Sequence, residues 1–232
     1  MNPINAVLFD LDGTLYENNE ELEDWARERA QELLQPIQAE ELIRNLPQIL
    51  AHLESRTSAG SRAESSADRS LFLRGLIPGL TAPAIEFITE MYESWLQHVQ
   101  LTPDASELLD ALDSAAVPYG VVTNAPRSQR IKTFSLGLDA RSDCIFISGE
   151  FGVNKPDPSI FQAAATCLGV PCGQILFVGD SPENDITGAH SAGMQAAWLR
   201  HGRLWPEEHA GQEPDYVIDR LMEVTAVVSR KS

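Results

Sequence analysis

Long apolar runs are missing from this 232-residue sequence. No stretch approaches the ~18 consecutive apolar residues of a membrane-spanning helix, and the opening MNPINAVLFD has no basic segment leading into an apolar one. The expectation is a cytoplasmic protein without a membrane partner. Cysteine is scarce as well: Cys144, Cys167 and Cys172 make no Cys-x-x-Cys pair and no even disulfide framework. They are expected to be reduced core or surface thiols with no metal or redox part. There is no G-x-x-x-x-G-K-S/T loop, so a P-loop mechanism has no support. The 5 histidines show no metal-ligand spacing and pair with no serine or cysteine nucleophile motif.

Positive charge is the last shortage. Lys+Arg number 17 against 34 Asp+Glu, a formal charge of −17, and such a field repels nucleic acid and anionic membrane surfaces. It repels a phosphate ester too. A site for one needs a bound cation and a few well-placed basic groups to reverse the potential locally. Oligomeric state cannot be read from these features.

What is present is an alternation of short apolar runs with helical patterns. AVLFD ending at Asp10, YGVVTN at Asn124, CIFIS at Ser148 and ILFVGD at Asp180 read as buried parallel strands, with AAWLR and DYVI as weaker candidates. DASELLDALDSA and SIFQAAATCLG are helical in spacing. The predicted class is α/β, a Rossmann-like parallel sheet core. Ligands of such sheets sit beyond the carboxyl ends of the strands, where Asp10, Thr123, Asn124 and Asp180 fall. Between the first two strands lies an insertion far longer than an ordinary crossover. Its segments LEDWARERAQELL, EELIRNLPQIL and APAIEFITEMYESWLQHV have amphipathic helical spacing, with a polar loop over 60–68. The expected organisation is a core of 1–16 and 100–232 with an inserted helical cap of 17–99.

DLDGTLY puts two carboxylates, Asp10 and Asp12, two residues apart at the end of the first strand. If the extended geometry persists they face the same side. Two such charges ~4 Å apart repel by about 4 kcal/mol at an effective dielectric of ~20, so the pair needs a metal or a shared proton. An Asx-turn at Asp12 is the structural alternative. Lys155 is one of three lysines, with Lys132 and Lys231, and its alternative is a solvated loop position beside Pro156. Asp180 and Asp185 in GDSPEND bring further oxygen donors, while Ser181 and Asp185 also have helix-capping chemistry. Glu183 and Asn184 read as loop residues.

Taken together, DLDGTLY, VVTNA at Val121 to Ala125, Lys155 in NKPDP, and GDSPENDITGA at Gly179 to Ala189 resemble, in order and context, the four motifs of the haloacid-dehalogenase-like superfamily, in its C1-capped phosphatase type. The resemblance implies that Asp10 attacks phosphorus and becomes an aspartyl phosphate, with Asp12 as general acid and base. It implies that Thr123, the backbone around Asn124, and Lys155 hold the phosphate. It also implies Mg²⁺ as cofactor, held by Asp10, Asp180 and the backbone carbonyl of Asp12, with Asp185 ligating it or orienting a bound water. Dehalogenating members lack an acid at the position of Asp12, which favours phosphate esters. The expected partner is a small phosphorylated metabolite. A sugar phosphomutase of the same fold, or a binding protein that has lost turnover, remains the alternative.

Overall fold

Strands β1 (Ala6–Phe9), β2 (Tyr119–Thr123), β3 (Ile145–Ile147), β4 (Ile175–Gly179), β5 (Gln195–Leu199) and β6 (Tyr216–Ile218) form one sheet in the computed structural model. Every pairing is parallel and the order is β3-β2-β1-β4-β5-β6. This is the doubly wound order of a Rossmann-like sheet. The structure describes residues 2–16, 66–82, 84–88, 99–127 and 129–228, with isolated positions between 28 and 49.

The apolar runs become strands because both faces of the sheet are covered. Along β1, Val7 and Phe9 enter one apolar cluster and Ala6 and Leu8 the other, the period of two expected of a pleated strand. Helix α2 (Pro103–Ser114) lays Leu108, Leu109 and Leu112 on the first face. Thr102 caps it by accepting from the Ala105 N–H, and Pro103 costs nothing at a position whose N–H has no helical partner. Helix α5 (Pro158–Leu168) covers the second face with Ile160, Phe161 and Ala164, and is capped by Asp157. The shorter helices are α3 (Gln129–Ser135), α4 (Ser148–Phe151), α6 (Gly188–Ser191) and α7 (Val224–Val228). β5 and β6, the weaker candidates in the sequence, complete one edge of the sheet.

Most of the expected cap, 17–99, lies outside the described residues, as do Trp25, Met91 and Trp95, whose helical spacing reads as core of the inserted segment rather than as pocket lining. Its described part includes helix α1 (Ser66–Leu76), which begins inside the segment expected to be a polar loop. Leu73, Ile77 and Ile85 belong to the same apolar cluster as Leu11, Leu15 and Tyr16 of the loop after β1. The cysteine expectation is corrected. Cys144 and Cys167 form a disulfide, and Cys172 is the free thiol. Docking of α5 on the sheet brings the two together across 23 residues of sequence, a separation that carries no disulfide signature. Among the described residues no helix is long and apolar enough to cross a membrane.

Candidate active site

The chain leaves β1 at Asp10, whose N–H still donates to the Val178 carbonyl of β4 at 2.9 Å. That bond fixes the Asp10 backbone at the carboxyl edge, between the two central strands. The loop then turns at Gly13, with φ of 81°, and closes through Gly13 N–H to the Tyr16 carbonyl at 2.7 Å. A Cβ at Gly13 would stand 3.1 Å from the Asp180 carboxyl carbon, so glycine serves both the left-handed turn and the close approach to β4.

Three further pieces of chain meet Asp10. Thr123, buried, ends β2. Lys155 precedes α5, and its backbone is gripped by Asn124: Lys155 N–H donates to Asn124 Oδ1 at 2.7 Å, and Asn124 Nδ2 donates to the Lys155 carbonyl at 2.9 Å. After β4, Asp180 leads into a π-helical turn, Pro182–Thr187, capped by Ser181. That turn buries Asp185 completely and folds its carboxylate back under Gly179, where a Cβ would come within 2.3 Å of Oδ2. Turns of this kind recur at functional sites.

These side chains converge on one cavity of about 200 Å³ lined by Asp10, Asp12, Thr123, Asn124, Lys155, Asp180 and Asp185, together with Ser181 and Asn184. Every site residue expected from the sequence is therefore present at it. Asn184, expected to be a plain loop residue, lines it too.

The electrostatics are those of carboxylates held around an ammonium. Lys155 Nζ lies 2.6 Å from Asp10 Oδ1 and 2.7 Å from Asp185 Oδ1. Burial alone would lower the Lys155 pKa, but the Asp10 and Asp185 carboxylates outweigh it and hold the amine charged. For Asp10, burial pushes the carboxyl up to about 7; Lys155 pulls it back, and Asp185 and then Asp12 add to the rise. Asp180 is raised by burial and by Asp185, with Arg203 opposing. Oxygens of Asp10, Asp180 and Asp185 lie within 4.8 Å of one another, an all-oxygen set suited to a hard divalent ion.

Several groups escaped the sequence reading. Lys132 Nζ lies 2.5 Å from Asp12 Oδ1, and Gln129 Nε2 donates to Asp12 Oδ2. Arg203 donates to the Asp180 carbonyl at 3.0 Å and to its Oδ2 at 3.1 Å, beside Trp198 Nε1, which reaches the same carbonyl at 3.0 Å. Compensation of the acidic crevice is thus spread over Lys155, Lys132 and Arg203. The scarcity of lysine was the available signal for Lys132. Nothing local marks Arg203.

A doubly wound sheet with an acidic, lysine-bridged cavity beyond its carboxyl edge defines the class, and comparison with known proteins agrees. Residues 4–193 match the haloacid dehalogenase-like hydrolase family. The chain is 31% identical over 237 residues to a glyceraldehyde 3-phosphate phosphatase from Methanopyrus kandleri, covering 97% of each chain. Among solved structures it resembles a phosphatase of this family from Thermococcus onnurineus, with 28% identity, a TM-score of 0.64 and coverage of 97% and 98%. It also resembles a 2-haloacid dehalogenase from Pseudomonas syringae, with 27% identity, a TM-score of 0.67 and coverage of 99% and 100%. The chain belongs to the haloacid dehalogenase-like hydrolases.

Proposed function

We propose that the protein is a Mg²⁺-dependent phosphatase that hydrolyses a small phosphomonoester through an aspartyl phosphate on Asp10. The observation that carries this reading is the convergence of Asp10, Asp12, Thr123, Lys155 and Asp180 on a single cavity. At about 200 Å³ the cavity suits a phosphoryl group and falls below the ~300–1,000 Å³ of a pocket that encloses a whole ligand. The leaving group then lies outside it, and residues 17–99, as an inserted cap, are the segment assigned to cover it and set specificity.

Asp10 Oδ attacks phosphorus as the ester P–O bond breaks, and Asp12 gives its proton to the departing alkoxide. Water next attacks the aspartyl phosphate, Asp12 takes its proton, and inorganic phosphate leaves with the Asp10 carboxylate restored. Thr123 and the backbone at Asn124 hold phosphate oxygens, and Lys155 offsets their charge. Asp10, Asp180 and the backbone carbonyl of Asp12 would hold Mg²⁺, which, when bound, neutralises charge developing on the transferred group. Both Asp185 oxygens are engaged, one by Lys155 and the other by the Ser181 N–H at 2.9 Å. Asp185 orients Lys155 through the first of these contacts and would support Mg²⁺, directly or through water, when the ion is bound.

Dehalogenation is the competing reading, since a 2-haloacid dehalogenase is among the structural relatives. Asp12 favours the phosphatase, because departure of a halide needs no proton donor. Asp10→Asn should abolish Mg²⁺-dependent phosphate release from an aryl phosphate while circular dichroism stays native. Wild-type turnover in that variant would overturn the nucleophile assignment. A panel of phosphorylated metabolites with Mg²⁺, including triose phosphates, sugar phosphates and phosphoglycolate, ranks substrates and detects phosphomutase products.

A further inference from the structure

Helix α3 buries two side chains that helices ordinarily expose. Gln129 and Lys132 are each 1% exposed, although lysine is almost never buried unless paired. At i and i+3 they share one helix face, and both point at the same group from a distant part of the chain. Gln129 Nε2 donates to Asp12 Oδ2 and Lys132 Nζ to Asp12 Oδ1. The Lys132 ammonium also stands over the Tyr16 ring, 4.6 Å from its centroid, with Tyr16 itself buried. Tyr16 ends the same short loop that begins at Asp12, so α3 is seated against both ends of it.

The Asp12 side chain remains 44% exposed and lines the cavity. Its carboxylate is thus anchored at both oxygens from the protein side while keeping access to the cavity. A carboxylate oxygen has about two lone-pair directions, so one donor on each leaves room for a proton. Lys155 serves Asp10 and Asp185, and Lys132 serves Asp12. The two lysines act on different carboxylates.

We propose that Gln129 and Lys132 are positioning residues for proton transfer: together they fix the Asp12 carboxylate in the orientation from which it protonates the leaving oxygen. This rests on the reading of Asp12 as the proton donor. A side chain with a freely rotating χ2 spends only part of its time aimed at the leaving group, and small misplacement of a reacting group is costly.

The test is the dependence of kcat/KM on leaving-group basicity, measured with saturating Mg²⁺ on alkyl, phenyl and dinitrophenyl phosphates. Lys132→Met keeps the apolar stem and removes the charge; Gln129→Met removes the amide without touching a charge and carries the test if the lysine variant does not fold. An alkoxide needs a proton to leave and dinitrophenolate does not. Each variant should lose about 10²-fold or more on the alkyl ester and under about threefold on the dinitrophenyl ester. Asp12→Asn should show the same steep pattern. Equal losses on all leaving groups, or none, in the α3 variants with a steep Asp12→Asn pattern would overturn the positioning role and leave Asp12 as the acid. A flat pattern in Asp12→Asn would overturn both.

Discussion

Lys155 Nζ and Asp10 Oδ1 are 2.6 Å apart at a buried junction, and the same ammonium holds Asp185 at 2.7 Å. Removing the cation leaves two carboxylates facing one another without compensation, and breaking a buried ion pair costs about 3–5 kcal/mol. Lys155→Met should therefore lower the melting temperature by on the order of 10 °C as well as abolish turnover. Lys155→Arg should restore neither, because a planar guanidinium does not fill the slot of a compact ammonium. Differential scanning calorimetry and a phosphate-release assay check both parts.

The pH behaviour of the proposed metal binding follows from Asp10. Burial lifts its carboxyl from the ordinary 3.8 to about 7, so in the metal-free protein it is mostly protonated at pH 6 and mostly ionised at pH 8. Metal binding at pH 6 has to expel that proton. Without metal, the stability contributed by the raised pKa is complete below about pH 4 and is lost as pH rises through about 7. Both effects have one sign: the gap in melting temperature between Mg²⁺ and EDTA should widen from pH 6 to pH 8. A gap that is constant or narrows would contradict the assignment of Asp10 as a ligand.

Gly179 tests how the neighbours of Asp10 are stacked. A Cβ there would meet Asp185 Oδ2 at 2.3 Å, and Asp185 cannot retreat because it is fully buried against Lys155 and the Ser181 N–H. Gly179→Ala should cost about 1–3 kcal/mol as an overpacked site and depress kcat further by displacing Lys155. Urea titration and steady-state kinetics on one preparation separate the two effects.

The strands and the cavity-lining side chains at their ends were legible because each rests on a local pattern: an apolar run ended by Asp, Thr or Gly marks a buried parallel strand and its loop at once. Even β5 and the edge strand β6 show faintly in AAWLR and DYVI. Lys132 and Gln129 were not legible in the same way, since an i, i+3 polar pair on a helix reads as a solvated face. Their burial is dictated by Asp12, 120 and 117 residues away. Asn184 reads as loop until the π-helical turn swings it to the cavity. The cysteine reading failed for the same reason, because only the docking of α5 brings Cys167 to Cys144.

Asn124 joins Thr123, at the end of β2, to the loop that carries Lys155, through two hydrogen bonds in opposite directions. Its side chain is committed to that loop, so in the proposed reaction its contribution to a bound phosphate comes from the backbone. Asn124→Ala removes both bonds, each contributing about 0.5–1.5 kcal/mol net, and frees the Lys155 backbone to drift. A shift of ~1 Å in a catalytic group costs about 10²-fold, so kcat/KM should fall by roughly that factor with only a modest loss of melting temperature. Asn124→Asp sharpens the test. It preserves the volume and still accepts from the Lys155 N–H, but it sets a carboxylate oxygen against the Lys155 carbonyl and adds a negative charge to an already acidic cavity. It should therefore lose more activity than alanine, and an aspartate variant as active as wild type would show that Lys155 does not depend on Asn124 for its position.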